Sequence, residues 1–251
     1  MKQLIMLLLL TITLNGYAQQ LLLNGKITYE KKFNIIKSIE QEMEEDGDDD
    51  NSWYKEMIKT MPKYKVDIFK LSFTRNQAIY TTVQEDENER LRWYKTITNL
   101  TQKTDFVTDS FLQNRTVYDE SFLIKDSISK PVWKLTGEYR NIAGYNCRRA
   151  TTILYDSVFV IAFFTESIPV SGGPDIFAGL PGMILGVVLP RFHTTIFATN
   201  VETVVPNEAD FLFKPIRKAK VLSREGYRKD LSSNLERWGK YGQRFVLKAL
   251  F

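Results

Sequence analysis

Cysteine occurs once in these 251 residues, at Cys147, and histidine once, at His193. A single cysteine forms no internal disulfide, and a single histidine excludes a His-rich zinc site. Gly-x-Ser-x-Gly, Walker-type and His-Glu-x-x-His patterns are all missing, so no familiar hydrolase, nucleotide or zinc-protease signature is present. After the first 18 residues no run approaches the ~18 uninterrupted apolar residues of a spanning helix. Nothing repeats at a fixed period, which excludes a propeller or solenoid. A dominant charge is lacking too. The 34 basic and 30 acidic residues leave a formal +4, and outside the C-terminal segment the basic residues are scattered among acids. That surplus is too small to argue for nucleic acid.

What is present is ordinary globular composition, 43% hydrophobic, enough for a sizeable core. Residues 1–18 read as a secretory signal peptide. Lys2 is the charged start, Leu4–Leu14 the apolar stretch, and Gly16-Tyr17-Ala18 the small-residue cleavage site. No cysteine lies near that site to carry a lipid. The expectation is export, to the periplasm or cell envelope, of a single β-rich domain over 19–251. Cys147 fits this compartment uneasily, since exported proteins usually pair their cysteines. Arg148 and Arg149 beside it favour a thiolate. The alternation continuing through Ala150, Thr152 and Leu154 favours a buried, inert thiol instead.

The dominant period is two. Ile27, Tyr29 and Phe33 open a half-buried strand; Phe69, Leu71 and Phe73 make another; Ile79, Thr81 and Val83 a third. Further strands are expected at Leu91–Tyr94, around Val117, over 121–124 before a turn at 125–127, and from Val132 with a bulge or strand end at Gly137. A hairpin of 147–155 with 158–164 turns at Asp156-Ser157. Val158–Phe164 is apolar on both faces and should be covered on both sides. Ile184–Leu189 and His193–Thr199 complete the set. An acidic run over 40–50 ends in Asp46-Gly47-Asp48-Asp49-Asp50, without the alternation and closing Glu of a calcium loop, and reads as a solvated, mobile stretch. Trp53, Met57, Ile58 and Met61 predict a short helix that starts at Asn51/Ser52 and stops before Pro62. Leu222, Tyr227, Leu231, Leu235, Trp238 and Phe245 predict a C-terminal helical segment capped by Ser223, with a basic face and weak points at Gly226 and Gly239. The fold class is therefore mainly β: a curved, mostly antiparallel sheet, half-barrel or barrel-like, with a short helix in the N-terminal half and a helical segment at the C-terminus.

The densest information lies in residues 168–190, where five glycines and four prolines are interleaved with Ile176, Phe177, Leu180, Met183 and Leu185. Gly and Pro fix a backbone path, and the apolar residues demand burial. The segment reads as an ordered loop entering a strand. Its run GPDIFAGLPGMIL resembles the signature of the GLPGLI family of exported bacterial proteins, with Met183 in place of the usual Leu. Trp133, Ile142-Ala143-Gly144-Tyr145, Cys147, Ala150 and the pair Ile168-Pro169…Gly173-Pro174 follow the family's order and spacing. The likeness covers roughly residues 130–200 and implies no established activity.

An apolar loop beside an apolar strand is where a pocket is expected. The candidate ligand- or partner-binding residues are Gly173, Pro174, Asp175, Phe177, Gly179, Leu180, Pro181 and Gly182. The function expected is an exported envelope binding or accessory protein, holding a hydrophobic ligand or an outer-membrane transporter through loop 172–182. The alternatives are a carboxylate-dependent hydrolase built on Asp175 and a purely structural envelope protein. No metal, cofactor, nucleic acid or transmembrane segment is implied. His193 with Cys147 would make a thiol–imidazole pair only if folding brought them together.

Overall fold

The computed structural model describes residues 21–47, 52–94 and 97–251. The signal-peptide reading and Asp48–Asp50 lie outside them. Among the described residues, twelve strands form one sheet. Its middle is β1 (Gly25–Asn34), whose Ile27 and Tyr29 are fully buried. On one side the chain meanders outward through β2 (Tyr64–Phe73), β3 (Gln77–Gln84), β4 (Ile97–Asp105), β5 (Ser110–Val117) and β6 (Glu120–Ser127). It then resumes at the far margin with β7 (Lys134–Ile142). From there β8 (Tyr145–Leu154), β9 (Val158–Thr165), β10 (Met183–Leu189) and β11 (Thr194–Glu202) return to pair with β1. The short β12 (Lys220–Leu222) adds to β6 in the one parallel pairing; every other neighbouring pair is antiparallel.

Only residues 128–133 join β6 to β7, which stand ten strand spacings apart in the sheet order. Such a link reaches at most about 25 Å, whereas a flat sheet would separate the two strands by roughly 48 Å. The sheet must roll up, and it does so without closing, since β6 and β7 are not hydrogen-bonded to each other. The curved, mostly antiparallel sheet expected from the sequence is thus present as an open roll.

Helices flank it. α1 (Ile35–Asp46) starts where Asn34 accepts from the Lys37 amide and stops at Gly47 in the left-handed region. α2 (Ser52–Thr60) is the helix expected before Pro62. Both pack on a small cluster of Phe33, Ile35, Ile39 and Leu91. The C-terminal segment is two helices, α3 (Arg224–Leu235), capped by Ser223, and α4 (Gly239–Ala249). A 3₁₀ turn (Glu236–Trp238) and Gly239 at φ 54 separate them, so one of the two weak points lies at the junction.

Four sequence readings are corrected. The acidic run begins as α1, because Ile35 and Ile39 share one helical face and are buried there. The expected strand at Leu91–Tyr94 is a 3₁₀ turn that tucks Leu91 under the helices. Residues 125–127 continue β6 instead of turning. β9 is covered on one face only: Val158, Val160, Ala162 and Phe164 are buried, while Phe159 is 42% exposed. The bulge at Gly137 is present as a register break between Leu135 and Tyr139.

Candidate functional site

The Gly/Pro loop fills the hollow of the roll. Gly172, Pro174, Asp175, Phe177, Leu180 and Gly182 are buried and Gly173 half-buried, whereas Gly179 and Pro181 face out. Main-chain bonds fix its path: the Ile184 amide donates to Gly172 at 2.9 Å and the Met183 amide to Ile168 at 2.9 Å. Gly179 sits at φ +90 against Lys130 and Trp133. The Trp133 indole donates to the Ala178 carbonyl at 2.9 Å. Tyr29 reaches across the core to the Ile184 carbonyl at 2.7 Å.

The loop's charged residue has a partner the sequence did not reveal. Asp175 is held by both oxygens to Arg115 Nη2, at 2.9 and 3.1 Å, and takes a further bond from Gln113 at 2.8 Å. Gln102 donates to its main-chain oxygen at 2.8 Å. Arg115 and Asp175 side chains are each 1% exposed. Burial works against the guanidinium's charge, but Asp175, Tyr227 and Tyr155 outweigh it, so its pKa is raised. Arg115 Nη1 donates to the Ala249 carbonyl at 2.6 Å, which also accepts from Tyr227. Phe177 stacks on Phe251 at 5.8 Å. Loop, sheet and the end of α4 therefore meet in one buried ionic and aromatic knot. The void left beside Asp175 is about 20 Å³, the size of one water.

The larger space lies elsewhere. A cleft of about 520 Å³ opens between α1, α2 and α4, walled by Phe33, Trp53, Met57, Tyr118, Trp238 and Phe245 among others. Tyr118 and Phe245 stack at 5.0 Å. Its two sides are bridged by Arg244, which pairs with Glu45 at 2.6 Å and approaches Glu42 at 3.7 Å. His193 lies on this wall with Nε2 2.8 Å from Gln41. Its pKa is lowered, first by burial and then by Lys37. Cys147 is not among the residues that wall this cleft. Its thiol donates to the Tyr145 carbonyl, and burial pushes it up to about 12. The thiol–imidazole pair is not formed.

Sequence reasoning thus found the loop and missed the cleft. The signal for the cleft was faint: Trp53, Met57 and Phe245 were each placed on a helix, but nothing local says that those helices face each other. Among the described residues, no group of three or more His, Cys, Asp or Glu side chains is arranged to hold a metal ion. No helix among them is long and apolar enough to cross a membrane.

Residues 154–186 match a family model described as "Protein of unknown function (Porph_ging)". No curated protein matches the chain. Solved structures of similar shape include PNGF-II in two crystal forms. One is 19% identical over 79% of this chain and 31% of that one, with a TM-score of 0.49. The other is 15% identical over 90% and 33%, with a TM-score of 0.46. This chain therefore spans about a third of PNGF-II. An uncharacterized conserved protein from Thermus thermophilus is 6% identical over 82% of this chain and 93% of its own, with a TM-score of 0.41.

Proposed function

We propose that this chain is an exported binding protein of the GLPGLI type, resident in the periplasm or cell envelope. Its hydrophobic ligand lies in the cleft between α1, α2 and α4, and the Gly/Pro loop is the internal brace that holds the roll in shape. The observation that carries the reading is the aromatic cleft of about 520 Å³, within the size and apolar character of small-molecule sites. The leader-like residues 1–18 and the run GPDIFAGLPGMIL support the compartment. A carboxylate hydrolase is disfavoured, because Asp175 is neutralised by Arg115 away from solvent. Native mass spectrometry of protein taken from envelopes tests the proposal. The expected spectrum carries a discrete added mass that is lost on denaturation and absent from a Trp53→Ala/Phe245→Ala variant. Bare polypeptide mass in every preparation overturns it.

A second reading keeps the loop as a docking point for an outer-membrane transporter. Its support is the exposed rim of Pro169, Ser171, Gly179 and Pro181, beside Val132 at 93% exposure. A photo-crosslinker at Pro181 should then capture one discrete envelope protein, and an uncaptured chain counts against it.

A further inference from the structure

The cleft has a basement. A recess of about 70 Å³ opens from it and shares Phe33, Tyr94, Phe192 and Lys248 with it. Lys31 of β1 and Lys65 of β2 line this recess with the Asp67 side-chain carboxylate and Phe251. Lys65 is paired with Asp67. Lys31 donates to the Phe251 main-chain oxygen at 2.8 Å. Lys248, from α4, has neither kind of partner among the described residues. Its ammonium instead sits 4.1 Å above the Phe33 ring and 5.8 Å from that of Tyr94. A half-buried recess thus holds three ammonium groups, of which Asp67 claims one and the Phe251 main-chain oxygen another, while that of Lys248 has no anion within ion-pair distance among the described residues. Uncompensated charge away from water is costly unless a counter-ion arrives.

We propose that this recess receives the carboxylate head group of an amphiphile, a fatty-acid-like monocarboxylate, with Lys248 as its ion-pair partner and its chain lying along the aromatic cleft. The inference rests on the reading of the cleft as a binding site and names the chemistry of what binds there. A neutral lipid leaves the ammonium unpaired, and a sugar supplies no charge. The recess is sized for a small head group, so the bulk must lie in the wider, greasier cleft above.

The titration of the recess fits. Burial lowers Lys248 to about 8, with Lys31, Arg244 and Lys65 acting in the same direction and Glu42 opposing them. Lys31 is lowered too, chiefly by burial. The other charged or titratable groups facing the site are Asp67, Tyr94, Tyr118, Arg191, His193 and Tyr241, with Phe251 at its floor. Tyr94 is pushed up to about 12 and His193 is lowered from 6.5, so neither changes charge near pH 8. A bound carboxylate stabilises the protonated amine, so binding takes up a proton near pH 8 and weakens as pH rises through that value.

The test titrates the folded protein with dodecanoate, dodecanol and dodecyl phosphate, read by tryptophan fluorescence from Trp53 and Trp238 in the cleft wall. Dodecanoate should bind roughly tenfold or more tighter than dodecanol. Lys248→Met keeps most of the apolar stem and should erase that difference, with dodecanoate binding no tighter than dodecanol. In the unmodified protein, dodecanoate affinity should fall between pH 7.5 and 9.5 and dodecanol affinity stay flat. Equal binding of acid and alcohol, with no pH dependence, overturns the head-group assignment and leaves the cleft standing as a binding site. Dodecyl phosphate binding tighter than dodecanoate overturns the carboxylate assignment. Binding of none of the three overturns this inference, and the envelope-derived mass spectrum then judges the cleft separately.

Discussion

Asp175 is the residue on which the sequence spoke most and explained least. Its place in the Gly/Pro loop marked it as a binding residue or a catalytic acid. It sits at φ 50, as a turn residue would, but its partner Arg115 lies 60 positions away. Arg115 is flanked by Gln113, Asn114 and Thr116, all polar and all buried, so nothing in the local pattern advertised an inward face. The pair gives a clean prediction. Asp175→Asn keeps a side chain that tolerates the left-handed region and removes only the charge. It should destabilise the fold by about 3–5 kcal/mol, read as a lower urea midpoint at unchanged slope. Adding Arg115→Met should recover part of that loss. Cys147 gives a second prediction. Its thiol should resist iodoacetamide at pH 8 and react only on unfolding. An unfolded thiol ionises near 9.0 and the folded one only near 12. The folded state therefore holds the extra proton between those values, and stability should fall as pH rises through that interval.

Elements were legible wherever one face was apolar and the other wet. β1, β2, β3, β8 and β11 announced themselves by alternation. β4 did not, because its inward residues Gln102 and Thr104 are polar. They face Asp175 and its network, so the strand's buried side resembles a solvent side. α1 was hidden for the opposite reason: an acidic tract masked the two isoleucines that seat it. The loop itself can be tested as an element. A Cβ at Gly182 would land on the Thr165 carbonyl, where the neighbouring strand leaves no slack. Gly182→Ala should therefore cost about 1–3 kcal/mol, measured by thermal unfolding. Gly179→Ala brings its Cβ only to 3.2 Å from the Lys130 Cα, a milder approach, but must hold φ +90, at about 1–2 kcal/mol.

At the scale of the molecule, the sequence disclosed the style of most strands but neither their full number nor their order. Period two says which face is buried and is silent on which strand is beside which. The return of β7–β11 to β1 and the rolling of the sheet come from long-range pairings that no window of sequence contains. One residue ties these parts together. Phe251 packs on Phe177 of the loop, Phe192 of the β10–β11 turn and Tyr155 of the β8–β9 turn, and its main-chain oxygen holds Lys31. Phe251→Ala should cost about 3–5 kcal/mol and raise amide hydrogen exchange in α4 and the loop together, because both lose the same support.

The short strap between Ser127 and Lys134 has a mechanical corollary. It works as a hoop around the rolled strands and sets an upper limit on their girth. A swelling guest cannot push the strands apart without snapping pairings on either flank of the seam. Any breathing the protein does must come from its helical lid, where ion pairs of Arg244 rather than a ladder of backbone bonds keep the two walls together.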